Sequence, residues 1–152
     1  MPTERTLILC KADAVARGLV GEIVARFERR GFTITAAKLL TVDRERARRH
    51  YAEHEGKPFF PGLIDYITSA PVVALVVEGA SAVEGCRATI GATNPIKAEP
   101  GSIRADFAQT IGRNLVHGSD SVESAEREIP IWFEPHEIFS RAHEQQRWLV
   151  ES

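Results

Sequence analysis

Apolar positions fall into short blocks divided by polar turns, and the spacing changes from block to block. Thr6-Leu7-Ile8-Leu9-Cys10 is an unbroken apolar run that reads as a buried strand ending at Lys11. Leu19, Val20, Ile23, Val24 and Phe27 recur at helical spacing, and Gly31 is placed to stop that helix. Residues 32–40, FTITAAKLL, begin with β-formers and predict a second strand. Residues 43–53 are charged and helical in pattern, with Asp43 as N-cap. Leu63, Ile64 and Ile67 predict a short helix before Pro71, and residues 71–77, PVVALVV, read as a central strand covered on both faces. Ser81 and Glu84 form a capping-box pattern for a helix with the stripe Ala82, Val83, Cys86, Ile90, closed by Gly91.

The rhythm breaks over residues 91–113, which hold Pro95 and Pro100-Gly101 and leave room only for a short helix near Ile103. A loop of that length in a compact domain usually serves function or assembly. Leu115-Val116 is a stub of strand. Asp120 with Glu123 makes a second capping-box pattern, for a helix to Ile129 that stops before Pro130. A last helix is expected after Pro135. In order, these elements predict an α+β sandwich of the split βαβ kind, with helices on one face of a four-stranded antiparallel sheet. With no repeat and no linker, residues 1–152 read as a single domain.

Composition narrows the classes. The chain has 152 residues, 43% hydrophobic and 26% charged, enough for one core without a disulfide or metal staple. Nineteen Lys+Arg against 21 Asp+Glu give a net charge of −2, which argues against a nucleic-acid coat or a polybasic membrane surface. The longest apolar run, residues 72–77, is far below the ~20 residues of a membrane span. Residues 1–5 lack the apolar stretch of a secretion signal. Cys10 and Cys86 have no C-x-x-C spacing and read as buried thiols, so a cytoplasmic location is expected.

The densest polar cluster is Asn114-Leu115-Val116-His117-Gly118-Ser119-Asp120-Ser121. It places an imidazole at the edge of a sheet, with Gly118 to admit a ligand to the backbone and a helix start that suits phosphate oxygens. Glu128 can fold back on one ring nitrogen and leave the other as a nucleophile. Lys11, Arg87 and Arg104 stand at separate elements and are permitted to converge on a polyphosphate. Two other patterns compete. His50-Tyr51-Ala52-Glu53-His54 matches the inverted zinc-protease motif, with His50 and His54 as ligands and Glu53 as base, but no third ligand is evident. Arg44, Arg46, Arg48 and Arg49 alternate with Asp43, Glu45 and Glu53, which reads as an ion-paired helix face rather than a nucleic-acid surface.

Residues 114–129, NLVHGSDSVESAEREI, closely resemble the active-site signature of nucleoside diphosphate kinases. Arg17-Gly18-Leu19-Val20-Gly21-Glu22-Ile23, Lys57-Pro58-Phe59-Phe60, Thr93-Asn94-Pro95 and Pro100-Gly101-Ser102-Ile103-Arg104 match that family in order and spacing, so the likeness spans nearly the whole chain. The resemblance implies a ferredoxin-like fold and ping-pong transfer of a γ-phosphoryl group from a nucleoside triphosphate to a diphosphate, through a phosphohistidine at His117. Glu128 would hold the other imidazole nitrogen and Ser119 would support that carboxylate, with Tyr51 close to the reacting group. Lys11, Arg87, Thr93 and Arg104 would bind phosphates, Asn114 and Lys11 the ribose, and Gly118 the nucleotide. Phe59 would stack on the base with Ile111 behind it, which makes ATP, GTP and their deoxy forms all substrates. Magnesium would travel on the phosphates, with Asp120 an indirect contact through water and no direct metal site.

Departures from the family are few. Lys11-Ala12-Asp13 stands where Lys-Pro-Asp is usual, followed by Ala14, so Lys11 is expected to be held less rigidly. The resemblance further implies a homo-oligomer, a hexamer rather than a tetramer, with the tail at Trp148 to Ser152 free to pack on a neighbour. A noncatalytic nucleotide or nucleic-acid binding module on the same fold is the alternative. No membrane and no nucleic acid as primary partner are expected.

Overall fold

A computed structural model describes residues 3–151, so the expectations for Met1, Pro2 and Ser152 lie outside it. The elements in order are β1 (Thr3–Cys10), α1 (Ala12–Ala16), α2 (Val20–Arg29), β2 (Thr33–Leu40), α3 (Arg44–His50), α4 (Phe60–Ile67), β3 (Val72–Ala80), α5 (Ala82–Ile90), α6 (Ile103–Phe107), β4 (Val116–Gly118), α7 (Val122–Trp132) and α8 (Gln146–Leu149). Single 3₁₀ turns lie at Ala52–His54, Pro95–Lys97 and Pro135–Glu137. The strands form one antiparallel sheet in the order β2-β3-β1-β4. β3 sits between β1 and β2, and β1 between β3 and β4, which is the split βαβ arrangement that the order of elements predicts.

Alternation along β1 sends Leu7 and Leu9 to one face and Ile8 and Cys10 to the other, and all four are almost fully buried. Leu7, Leu9, Ala74 and Val76 pack with Ala47, Ile64, Ala125, Ile129 and Trp132. Ile8, Cys10, Leu75 and Val77 pack with Ile23, Phe27, Ala82, Cys86 and Ile90. Helices therefore cover both faces, and the expectation of cover on one face fails. Runs such as LILC and VVALVV carry apolar side chains toward both sides, and each side needs a partner.

Several helix ends follow local chemistry. Gly31, at φ +99°, closes α2: its N–H bonds the Glu28 carbonyl at 3.0 Å, and the Phe32 N–H reaches back to Phe27 at 3.1 Å. Others were set by distant contacts. Ser81 takes the left-handed conformation and caps nothing, while Glu4 on β1 accepts the Val83 N–H at 3.2 Å. The expected capping box is thus replaced by a carboxylate from another strand. α7 is capped by Ser121, one residue beyond Asp120, which accepts the Ser124 N–H at 3.0 Å.

α7 also runs through Pro130 to Trp132, past the predicted stop. Proline removes one helical donor. The Phe133 N–H still bonds the Ile129 carbonyl at 2.9 Å, and burial of Ile131 and Trp132 holds the last turn. The helix predicted over residues 43–53 breaks at Tyr51, and the one expected after Pro135 is a 3₁₀ turn followed by α8. Among the described residues no helix is long and apolar enough to cross a membrane.

Candidate active site

β4 starts at Val116 rather than Leu115, and His117 lies within it, paired with Leu9. Alternation then fixes the sides. Val116 joins the α2–α5 core, while His117 faces the α7 side with Leu9. Leu115 precedes the strand at φ +73°, a conformation costing roughly 1–2 kcal/mol for a non-glycine residue. Its N–H bonds Asp13 Oδ2 at 3.1 Å and its carbonyl accepts the Lys11 N–H at 2.8 Å, which locks the start of α1 to the start of β4. α1 forms with Ala12 in the place of the usual proline.

The buried stripe of α7 is Ala125, Glu128, Ile129 and Trp132, so a carboxylate occupies a core position and meets His117. His117 Nε2 lies 2.9 Å from Glu128 Oε1. Ser119 Oγ donates to the same oxygen at 2.8 Å and accepts the Leu7 N–H at 3.2 Å. Burial alone pushes the Glu128 carboxyl up, but hydrogen bonding and charge from His117, with support from His50 and Ser119, outweigh it and hold the group below its ordinary range. An ionised carboxylate only accepts, so Nε2 carries the proton and Nδ1 is left with a lone pair. Glu128→Gln is expected to slow chemistry at His117 by about 10²-fold with little change in nucleotide affinity. A rate within a few-fold of the parent in single-turnover assays counts against this role.

The cations are held in different ways. Arg104 lies on α6 rather than in a loop, and is buried. Its guanidinium donates to the carbonyls of Asn114 (3.2 Å), Gly91 (3.0 Å) and Val116. Arg87 donates to the Gly118 carbonyl at 3.0 Å. Lys11 Nζ donates to Asn114 Oδ1 at 2.6 Å, and Asn114 Nδ2 donates to the Thr93 carbonyl at 3.0 Å. Burial first, then the charge of Arg104, lowers the Lys11 ammonium to about 8.

These groups border a cleft of about 350 Å³ that brings together Lys11, Tyr51, Phe59, Arg87, Thr93, Arg104, Asn114, His117, Gly118, Asp120 and Glu128. Phe59 stands half-exposed at its mouth, with Lys57 Nζ 5.7 Å from the ring centre. Burial raises the Tyr51 hydroxyl to about 12, so it stays protonated as a donor. Ser119 is fully buried behind Glu128. Ile111 is exposed and does not line the cleft; Leu63 does. Gly118 borders the cleft, and a Cβ there would also lie 2.7 Å from Ile90 Cδ1, the far end of that side chain. A larger cavity, about 700 Å³, between Phe32, Gly79 and Leu149 has no imidazole or thiol on its wall.

His50, His117 and Glu128 place potential ligand atoms within 4.8 Å of one another. The indole of Trp132 settles against a metal there. Trp132 Nε1 donates to His50 Nδ1 at 3.2 Å, and an indole nitrogen can only donate. His50 therefore carries its proton on Nε2 and has no lone pair left for a cation. His50 ends α3 while His54 lies in the following 3₁₀ turn, so the zinc-protease pair does not share a helix face. The significance of His50 beside His117 was not read from the sequence; its only local signal is the buried i,i+3 pairing with Ala47 on α3.

Residues 4–138 match the family model described as nucleoside diphosphate kinase. The chain is 55% identical over 148 residues to a nucleoside diphosphate kinase of Staphylococcus aureus, and 53% identical to one of Acaryochloris marina, each covering 97% of this chain and 99% of the relative. Among solved structures, it superposes on a halophilic nucleoside diphosphate kinase from Halobacterium salinarum in complex with CDP, with a TM-score of 0.94 and 44% identity over 99% of this chain and 100% of that one. A nucleoside diphosphate kinase family protein from Babesia bovis gives a TM-score of 0.93 at 39% identity, over 97% of this chain and 99% of that one.

Proposed function

The chain belongs to the nucleoside diphosphate kinase family and shares its phosphotransferase activity, and from that premise we propose that the γ-phosphoryl group passes through Nδ1 of His117. The observation that carries this reading is the 2.9 Å contact of His117 Nε2 with buried Glu128, which leaves the opposite nitrogen as an in-line nucleophile. The γ-phosphorus–oxygen bond breaks, the diphosphate leaves with the electron pair, and a second diphosphate takes the group in the reverse step. Lys11, Arg87 and Arg104 balance charge on the phosphates, Thr93 and the Tyr51 hydroxyl add uncharged donors, and Asn114 with Lys11 holds the ribose. The exposed face of Phe59 stacks on any base, consistent with the CDP held by the halophilic relative and with ATP, GTP and deoxynucleotides as substrates.

Magnesium fits the donor set as a cation brought by the nucleotide. Asp120 and Glu53 are the carboxylates at the open part of the cleft, and a hard ion keeping most of its waters needs no more from the protein. When bound, it neutralises phosphate charge. Asp120 is held below its ordinary range chiefly by a hydrogen bond from Ser124, so it stays ionised for a water-mediated contact. The remaining parts of the reading are one kinase domain over residues 1–152, a homohexamer and a cytoplasmic location, resting on family likeness.

The test is direct. Pure protein mixed with γ-labelled ATP and magnesium, without acceptor, is expected to take up label that survives alkali, is lost in acid and moves to added GDP. Folded protein that binds ATP and takes no label overturns the reading. A second expectation concerns pH: Lys11 loses its charge above about 8, so ADP affinity falls as pH rises from about 8 to 9. Calorimetric titration checks this, with Lys11→Gln expected to bind more weakly at pH 7 and to show a flat profile over the same range.

A further inference from the structure

We propose, resting on the phosphohistidine reading, that His50 is a further catalytic residue whose Nε2–H bonds an oxygen of the phosphoryl group as it moves onto and off His117. His50 ends α3 and lines the cleft, with its ring perpendicular to that of His117, centroids 4.8 Å apart and planes at 81°. Its Nδ1 is taken by the Trp132 indole at 3.2 Å, which fixes the Nε2–H tautomer. Among the described residues the His50 ring is hydrogen-bonded at Nδ1 alone, and Nε2 is not one of the fully buried atoms left without a partner, which are Thr6 Oγ1 and Asp13 Oδ1, so it keeps access to the cleft that His50 lines. The Nε2–H therefore opens onto the cleft beside the nucleophile.

A donor fixed by a second ring and left without a protein acceptor has the form of an oxyanion-stabilising group. Charge matters as much as direction. Burial, then the neighbouring His117, drives the His50 imidazole down to about 3, against the pull of Glu128, with Arg127 and His54 adding to the lowering. His50 thus stays neutral at working pH. A cationic His50 would compete with His117 for Glu128, whereas a neutral one donates without disturbing that pair. In the step itself the bond between phosphorus and the β–γ bridging oxygen breaks, the N–P bond forms at His117 Nδ1, and the diphosphate carries off the electron pair. His50 keeps its proton throughout.

The wild-type protein, labelled with ¹⁵N at histidine, gives the first test. On phosphorylation of His117 the His50 Nε2–H resonance is expected to move downfield and to gain coupling to phosphorus; an unmoved resonance overturns the proposal. In rapid-quench single turnovers, His50→Phe is expected to slow transfer about 10²-fold in both directions with ADP affinity within about twofold, and His50→Gln, which keeps an N–H donor, to recover most of the rate. Equal slowing in both variants, or none in either, also overturns it. Absence of label on His117 in the parent protein marks instead the failure of the underlying reading.

Discussion

His117→Ala is expected to lower phosphotransfer by about 10⁴-fold or more while the protein still folds and binds nucleotide. The reason is the division of labour in the cleft. His117 Nδ1 is the lone pair that the geometry leaves free for attack, whereas the cleft-lining cations Lys11, Arg87 and Arg104 are held by Asn114, Gly118 and a set of carbonyls independent of the imidazole. Loss of the ring strands Glu128 with the Ser119 hydroxyl at 2.8 Å and Arg127 at 3.6 Å. The Glu128 carboxyl then rises toward its ordinary range, because burial is no longer outweighed. In the parent, its depressed value adds stability that is present above the unfolded value and is lost as pH falls through the folded one. Acid unfolding of His117→Ala should accordingly begin at higher pH. Coupled-assay rates, ADP titration and acid melts check the three parts, and residual turnover within tenfold of the parent would show that another group carries the phosphoryl.

The second large effect falls on stability. Arg104→Met is expected to cost about 2 kcal/mol or more, because it leaves the carbonyls of Gly91 and Val116 without donors at roughly 1–3 kcal/mol each, while the Asn114 carbonyl keeps the Val116 N–H at 2.8 Å. The guanidinium accepts this confined place despite burial, and then Arg87, lowering it to about 10. Arg104→Lys should rescue little, since one ammonium cannot span three carbonyls that a planar fork reaches together. Two of those carbonyls flank Leu115, whose left-handed backbone sets the register of His117, so activity is expected to fall further than affinity for phosphate alone explains. Urea midpoints with unchanged slope are the measurement. A loss under about 1 kcal/mol would mean that water replaces the guanidinium freely.

Much of this was written in neighbouring residues. Apolar runs marked the strands, the spacing from Leu19 to Phe27 marked α2, and Gly31 closed it as expected, because each depends on contacts within a few positions. The split βαβ order also followed from the succession of elements. The family motifs placed His117, Glu128, Lys11, Arg87, Arg104, Asn114, Thr93, Tyr51 and Phe59 in one candidate site, and all nine line the same cleft.

Tertiary structure decided what depends on partners far along the chain. Glu4 displaced the Ser81 cap, and the burial of Trp132 carried α7 past Pro130. A Cβ at Gly118 would meet Ile90 from the helix beyond, and Leu63 rather than Ile111 lines the cleft. Nothing near His50 in sequence reveals that an indole from α7 fixes its tautomer against the ring of His117. Local hydrogen bonding and periodicity are set by residues a turn apart, while the acceptor that a buried donor meets is set by strand register and helix packing across the whole sheet.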